Sequence, residues 1–127
     1  MKMPDFAAFL QAAQRSLYGK VGWIREGNLS VYVRYGSVLV GSNLIPEVVT
    51  IANVTCSRKS QGKGEFTRFL HSVEEKAKGV FIENVLEPRF ARFFERKGYV
   101  RTQLEATLTV SFYKDTSLIR EVVGNHG

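Results

Sequence analysis

Residues 46–66 read Pro46-Glu47-Val48-Val49-Thr50-Ile51-Ala52-Asn53-Val54-Thr55-Cys56-Ser57-Arg58-Lys59-Ser60-Gln61-Gly62-Lys63-Gly64-Glu65-Phe66. Residues 47–55 are continuously apolar and β-branched at the centre, the pattern of a strand buried on both faces. The next nine residues are polar, basic and glycine-bearing. Beyond them Phe66, Phe69, Leu70, Val73 and Ala77 recur at helical spacing, and Gly79 stops the run. Residues 80–85 then form a short apolar strand. A strand, loop, helix and strand in that order commit this part of the chain to an α/β architecture.

The flanks extend this reading. Residues 5–18 fit an amphipathic helix capped by Asp5, with Phe6, Phe9, Leu10, Ala13 and Leu17 on one face and Gly19 and Gly22 at its end. Over residues 29–41, Leu29, Val31, Val33 and Tyr35 alternate with Ser30, Tyr32 and Arg34. Gly36-Ser37 is then expected to turn the chain into Val38-Leu39-Val40, an antiparallel hairpin. Trp23 falls in the loop before it, with core packing its expected role. Downstream, Glu87-Pro88 opens a helix whose apolar face is Phe90, Phe93 and Phe94 and which ends at Gly98. Residues 99–102 and 107–113 complete the strands. The expectation is one α/β domain, residues 1–127, with a mixed, mostly antiparallel sheet flanked by helices.

Composition excludes several classes. The 127 residues are 44% hydrophobic and 24% charged, a globular balance. Apolar runs reach about five or six residues, far below the ~20 that span a bilayer, so no membrane role is expected. The opening Met-Lys-Met-Pro-Asp-Phe shows no secretory pattern. Cys56 is the single cysteine, which rules out an intrachain disulfide, and His71 and His126 stand at no metal-ligand spacing. A cytoplasmic location is expected. The net charge of +6 points to an anionic partner.

The loop supplies a place for one. Backbone N–H groups at a strand-to-helix junction can face an anion, and the helix N-terminus adds partial positive charge. Arg58, Lys59 and Lys63 add three cations, with no acid from 57 to 64. A tight turn needing glycine explains the same glycines. The Walker pattern is absent, and so is the third glycine of a Rossmann loop.

Gln61-Gly62-Lys63-Gly64-Glu65-Phe66 resembles the pyrophosphate loop of the GNAT superfamily of acyl-CoA-dependent N-acyltransferases, Gln/Arg-x-x-Gly-x-Gly/Ala, departing at Phe66. Ala91-Arg92-Phe93-Phe94-Glu95-Arg96-Lys97-Gly98-Tyr99 resembles that family's alanine-containing helix running into aromatic-Glu-Lys/Arg-x-Gly-Phe/Tyr. The two matches span residues 48–102. The junction Glu83-Asn84-Val85-Leu86-Glu87-Pro88 is similar to that of short, phage-type members.

The resemblance implies acetyl-CoA as co-substrate and an amine acceptor, either a small molecule or a protein. It places Val54, Thr55 and Cys56 beside the pantetheine arm. The amides of Gln61, Gly62, Lys63 and Gly64 would hold the pyrophosphate, with Arg58, Lys59 and Lys63 neutralising phosphates and Asn84 near the pantetheine. It implies direct attack of the amine on the thioester in a ternary complex. Glu83 and Glu87, where the family's substrate groove opens, are candidate proton acceptors. The family's usual thiolate-protonating tyrosine aligns with Phe94, which has no proton to give, so Tyr99 is the candidate donor, with Tyr113 behind it. Cys56 reads as an inert thiol and His71 as a solvated side chain. The alternative is a non-catalytic GNAT-like protein that binds nucleic acid or a protein. Residues 88–101 suit it, carrying Arg89, Arg92, Arg96, Lys97 and Arg101 against Glu95. A monomer or a homodimer is expected, in the host cytoplasm if the chain is phage-encoded.

Overall fold

The computed structural model describes residues 3–56, 64–85, 88–102 and 110–117, and of residues 54–56 the backbone alone. Arg58, Lys59, Gln61, Gly62, Lys63 and Glu87 lie outside the described residues. The elements are α1 (Phe6–Gln14), β1 (Lys20–Glu26), β2 (Leu29–Val40), β3 (Asn43–Cys56), α2 (Glu65–Lys76), β4 (Gly79–Val85), α3 (Pro88–Arg96), β5 (Val100–Thr102) and β6 (Val110–Asp115). The six strands lie in the order β1-β2-β3-β4-β6-β5. β3 and β4 pair in parallel through α2, and the other described pairings are antiparallel. The mixed, mostly antiparallel α/β fold expected from the sequence is the fold observed.

The three helices among the described residues pack on one face of the sheet. Ile24, Val31, Val33, Val49, Ile51, Val80, Ile82 and Phe112 point toward them and form one buried cluster with Phe6, Phe9, Phe69, Leu70, Val73 and Phe94. Each large apolar side chain buried there stabilises the fold by about 1.5–3 kcal/mol. The helices also meet one another. The Phe6 ring packs edge-on against Phe69 at 5.9 Å, and Phe66 against Phe94 at 6.1 Å. The opposite face presents Trp23, Tyr32, Arg34, Thr50, Phe81 and Glu83.

Several local expectations change. Gly36-Ser37 does not turn the chain: β2 runs through it, and the two-residue turn lies at Gly41-Ser42, between the paired Val40 and Asn43. At this level the structure has instead a bulge on the facing strand. Between Gly36↔Val48 and Val38↔Ile45, β3 carries one extra residue, where Pro46 and Glu47 sit and Glu47 takes φ 58°. Proline is tolerated in a strand at such a place because no ladder donor is needed. Residues 20–26 are a strand, not a loop. Trp23 therefore stands on the open face, 42% exposed and edge-on to Tyr32, rather than in the core. β1 joins β2 through the two-residue turn Gly27-Asn28, with Gly27 at φ 58°. α1 ends at Gln14, so Leu17 lies beyond it and is 91% exposed. Phe90 is 54% exposed, leaving Phe94 as the buried residue of α3.

Candidate active site

Two bulges open the middle of the sheet. The parallel ladder comprises Val49↔Val80, Thr50↔Phe81 and Ile51↔Ile82, and there it stops, although both strands continue. On β3 the residue after Ile51 is extra: Tyr32 faces Asn53 and Val33 faces Ile51, so Ala52 has no opposite number on β2. On β4 the register against β6 jumps from Ile82↔Phe112 to Val85↔Val110, again one residue too many, and Asn84 there adopts φ 56°. A bulge bends its strand and increases the local twist. Past the last shared pair both strands are bulged and each keeps its pairing with its outer neighbour but not with the other, so the ladder opens into a cleft between β3 and β4.

The cleft leads from that last pair along the end of β3. There Val54, Thr55 and Cys56 pair with Val31, Ser30 and Leu29 of β2 and leave their other edge toward the cleft. The cap of α2 is Gly64, left-handed at φ 74°, with no side-chain cap bond. Its first backbone bond runs from the Arg68 N–H to the Gly64 carbonyl, so the amides ahead of it belong to the uncapped first turn.

On the open face a groove of about 370 Å³ runs past the cleft, lined among others by Lys20, Arg34, Thr50, Phe81 and Glu83. Arg34, Thr50 and Phe81 form one row across β2, β3 and β4. Glu83 stands one step further along β4, at the mouth of the cleft. The Arg34 guanidinium forms an ion pair with the Glu83 carboxylate, and both side chains remain partly exposed. This brings one predicted carboxylate, Glu83, to the point where the strands part. Asn84 is exposed beside it, its N–H donating to the Ser111 Oγ at 3.1 Å.

Tyr99 lies elsewhere. Its side chain is buried on the helix side, and its hydroxyl donates to the Glu74 Oε2 of α2 at 2.8 Å. Burial, then the charge of Glu74, then that hydrogen bond, push the phenol far above its ordinary range, so it keeps its proton at neutral pH. Lys114 completes this group, 3.4 Å from Glu74 and donating to the Lys97 carbonyl at 2.9 Å. The Tyr113 hydroxyl lies against Gly79, at the opposite end of β4 from the cleft, and burial is the first cause that raises its pKa. Phe94 is 2% exposed among Phe66, Phe93, Tyr99 and Phe112. His71 is solvated, as expected, 3.9 Å from Glu74.

On the basic stretch, Arg101 pairs with Glu95 at 2.7 Å and Lys97 lies over the Phe93 ring, while Arg89, Arg92 and Arg96 are exposed. Sequence reasoning missed Arg34, Thr50 and Phe81. They are ordinary strand residues in the alternation of β2, β3 and β4, and only the strand order puts them in one row. Among the described residues no cluster of His, Cys, Asp and Glu suits a metal, and no helix is long and apolar enough to cross a membrane.

No protein-family model and no curated protein matches the sequence. Solved structures do. One is a tyrosine-to-phenylalanine mutant of the AtaT toxin bound to the C-terminus of the antitoxin AtaR and acetyl-CoA. It is 16% identical over 75% of this chain, with a TM-score of 0.58. Another is a KacTA–DNA complex, 14% identical over 94% of this chain and 84% of its own, with a TM-score of 0.60. The fold is GNAT-like. The chain spans 62% of the length of the AtaT structure. Of the resemblance seen at residues 61–66, Gly64 caps α2 and Glu65 and Phe66 open it, and that seen at 91–99 falls on α3 and the approach to β5.

Proposed function

We propose that this chain is an acyl-CoA-dependent N-acyltransferase that moves an acetyl group from acetyl-CoA to an amine in a ternary complex. The observation that carries the reading is the paired bulge at Ala52 and Asn84, which opens β3 from β4 directly ahead of the basic loop and the uncapped start of α2. The residues present fit the co-substrate. A strand edge freed from its ladder offers backbone groups to the amide-bearing pantetheine arm. The residues that follow would offer N–H groups and the cations Arg58, Lys59 and Lys63 to phosphates. Val54, Thr55 and Cys56 would line the arm, Gln61, Gly62, Lys63 and Gly64 would hold the pyrophosphate, and Asn84 would face the arm from β4.

Acetyl-CoA supplies an activated thioester carbonyl and a thiolate leaving group. Glu83 takes the proton released as the amine nitrogen bonds to that carbonyl carbon, directly or through water; Arg34 holds the carboxylate at the cleft mouth. A β3 backbone amide near Val54 or Thr55 would stabilise the developing oxyanion. The C–S bond breaks and water protonates the departing thiolate, because Phe94 has no hydroxyl and Tyr99 gives its own to Glu74. Glu87 is a second candidate acceptor. The amine acceptor would lie in the groove on the open face. Phage-type membership rests only on residues 83–88.

Calorimetric titration with CoA and acetyl-CoA, followed by acetyl transfer to a panel of amines, tests the proposal. Saturable binding of both and turnover of at least one amine are expected. Absence of binding at millimolar CoA to folded protein overturns it. The exposed Arg89, Arg92 and Arg96 support a second reading, a nucleic-acid-binding protein with this fold. Salt-sensitive binding to nucleic acid without any to CoA would favour that reading.

A further inference from the structure

The turn between β1 and β2 reaches the start of α2. Glu65, the first residue of that helix, places its carboxylate on this turn. Its Oε2 accepts from the Asn28 backbone N–H at 3.1 Å, and its Oε1 accepts from the Asn28 Nδ2 at 3.0 Å. Gly27, left-handed at φ 58°, leaves room for the approach: a Cβ built there would stand 3.2 Å from the Glu65 Oε2, a tight contact. Two N–H donors from one residue grip both oxygens of the carboxylate, across 37 residues of sequence.

A carboxylate at the first helical position carries a full negative charge beside the amides that the proposed function assigns to pyrophosphate. A charge of that sign at that place competes with an anionic ligand for the helix N-terminus and repels it. We infer that Asn28 is a positioning residue for the CoA site: by holding the Glu65 carboxylate over the β1–β2 turn, it keeps that charge off the phosphates and fixes the first turn of α2. The inference rests on the CoA-binding reading. It makes the β1–β2 turn a support of the cofactor site.

The test is a set of calorimetric CoA titrations on wild type, Asn28→Ala, Glu65→Gln and the double variant, at low and high salt, with the thermal midpoint of each measured alongside. Asn28→Ala frees the carboxylate from its side-chain donor and should weaken CoA binding about three- to tenfold at low salt, less at high salt. Adding Glu65→Gln to it removes the charge and should restore affinity to within about twofold of wild type, although the clamp is still broken. Recovery is the result a merely structural contact would not produce. A double variant as weak as Asn28→Ala overturns the inference, as does equal affinity in all four proteins. Failure of the wild type itself to bind CoA sinks the proposed function and this inference with it, whereas binding without the rescue sinks this inference alone.

Discussion

Gly64 holds φ 74°, and a Cβ there would stand 3.5 Å from an Arg68 guanidinium nitrogen, an ordinary contact. Space is available, then; conformation is what excludes other residues. Gly64→Ala should cost about 1–2 kcal/mol of stability, and Gly64→Asn less, because asparagine tolerates the left-handed region. CoA affinity should fall in both by more than the midpoint in urea suggests, since any side chain there stands where phosphates must approach. Affinity that merely follows stability would assign the glycine to the helix start alone. Tyr99 makes the opposite case, a residue whose chemistry is used internally. Tyr99→Phe removes a donor from the buried Glu74 carboxylate and should cost about 1–3 kcal/mol at pH 7. The folded-state phenol is raised above its unfolded value near 10. Its contribution is therefore complete below pH ~10 and fades as pH rises further, so the wild-type advantage over Tyr99→Phe should shrink at alkaline pH. Urea titrations across pH 7–11 measure it. Lost turnover with unchanged stability would return the hydroxyl to the chemistry. No spacing rule points from residue 99 to residue 74. The partner of Tyr99 is set by where the residue between α3 and β5 meets α2, and that was not legible in the sequence.

Elements with a strong apolar period were legible: α2 with Phe69, Leu70 and Val73, β4, and the buried centre of β3 all stand where the pattern predicted. β1 was not, because an edge strand with one face open needs few apolar residues, and only Ile24 of β1 is buried. The Gly27-Asn28 pair between alternating runs was the available signal. The site divides the same way. The loop resemblance pointed to the α2 junction, but the cleft depends on single extra residues at Ala52 and Asn84, which periodicity alone does not mark. Phe90, Phe93 and Phe94 share a helix, yet Phe94 alone of the three is fully buried, with Phe93 partly buried against the core and Phe90 in solvent. Phe94→Ala should therefore cost about 3–5 kcal/mol. Phe90→Ala should cost far less. Phe94→Tyr would bury a hydroxyl among Phe66, Phe93 and Phe112 and should lower stability by about 1–3 kcal/mol. Thermal or urea unfolding of the three variants separates these outcomes. A Phe94→Tyr protein that is stable and turns over severalfold faster would show that leaving-group protonation limits the native chain.

The molecule as a whole is a sheet insulated on one face and open on the other, with the cleft passing between them. Its helix side supplies the packed platform that fixes α2, and its open face supplies Arg34, Glu83 and the groove. CoA would join the two by occupying the gap between β3 and β4, so its binding should be felt throughout the fold. A ligand that binds the native state alone stabilises it by about 2.7 kcal/mol at a hundred times its Kd. In a domain of this size that corresponds to a rise in Tm on the order of 10 °C. The net charge of +6 adds a long-range attraction for a polyanion, which salt screens. The rise produced by a fixed CoA concentration should therefore shrink between about 0.05 and 0.5 M salt, where the Debye length falls below about 5 Å. Thermal scans over a CoA series at the two salt levels measure both effects. A Tm that climbs with CoA concentration and climbs less in salt is the expected result. A shift indifferent to salt would mean that the pantetheine arm, not the phosphates, carries the affinity, and would move the weight of the site from the α2 junction to the β3 edge.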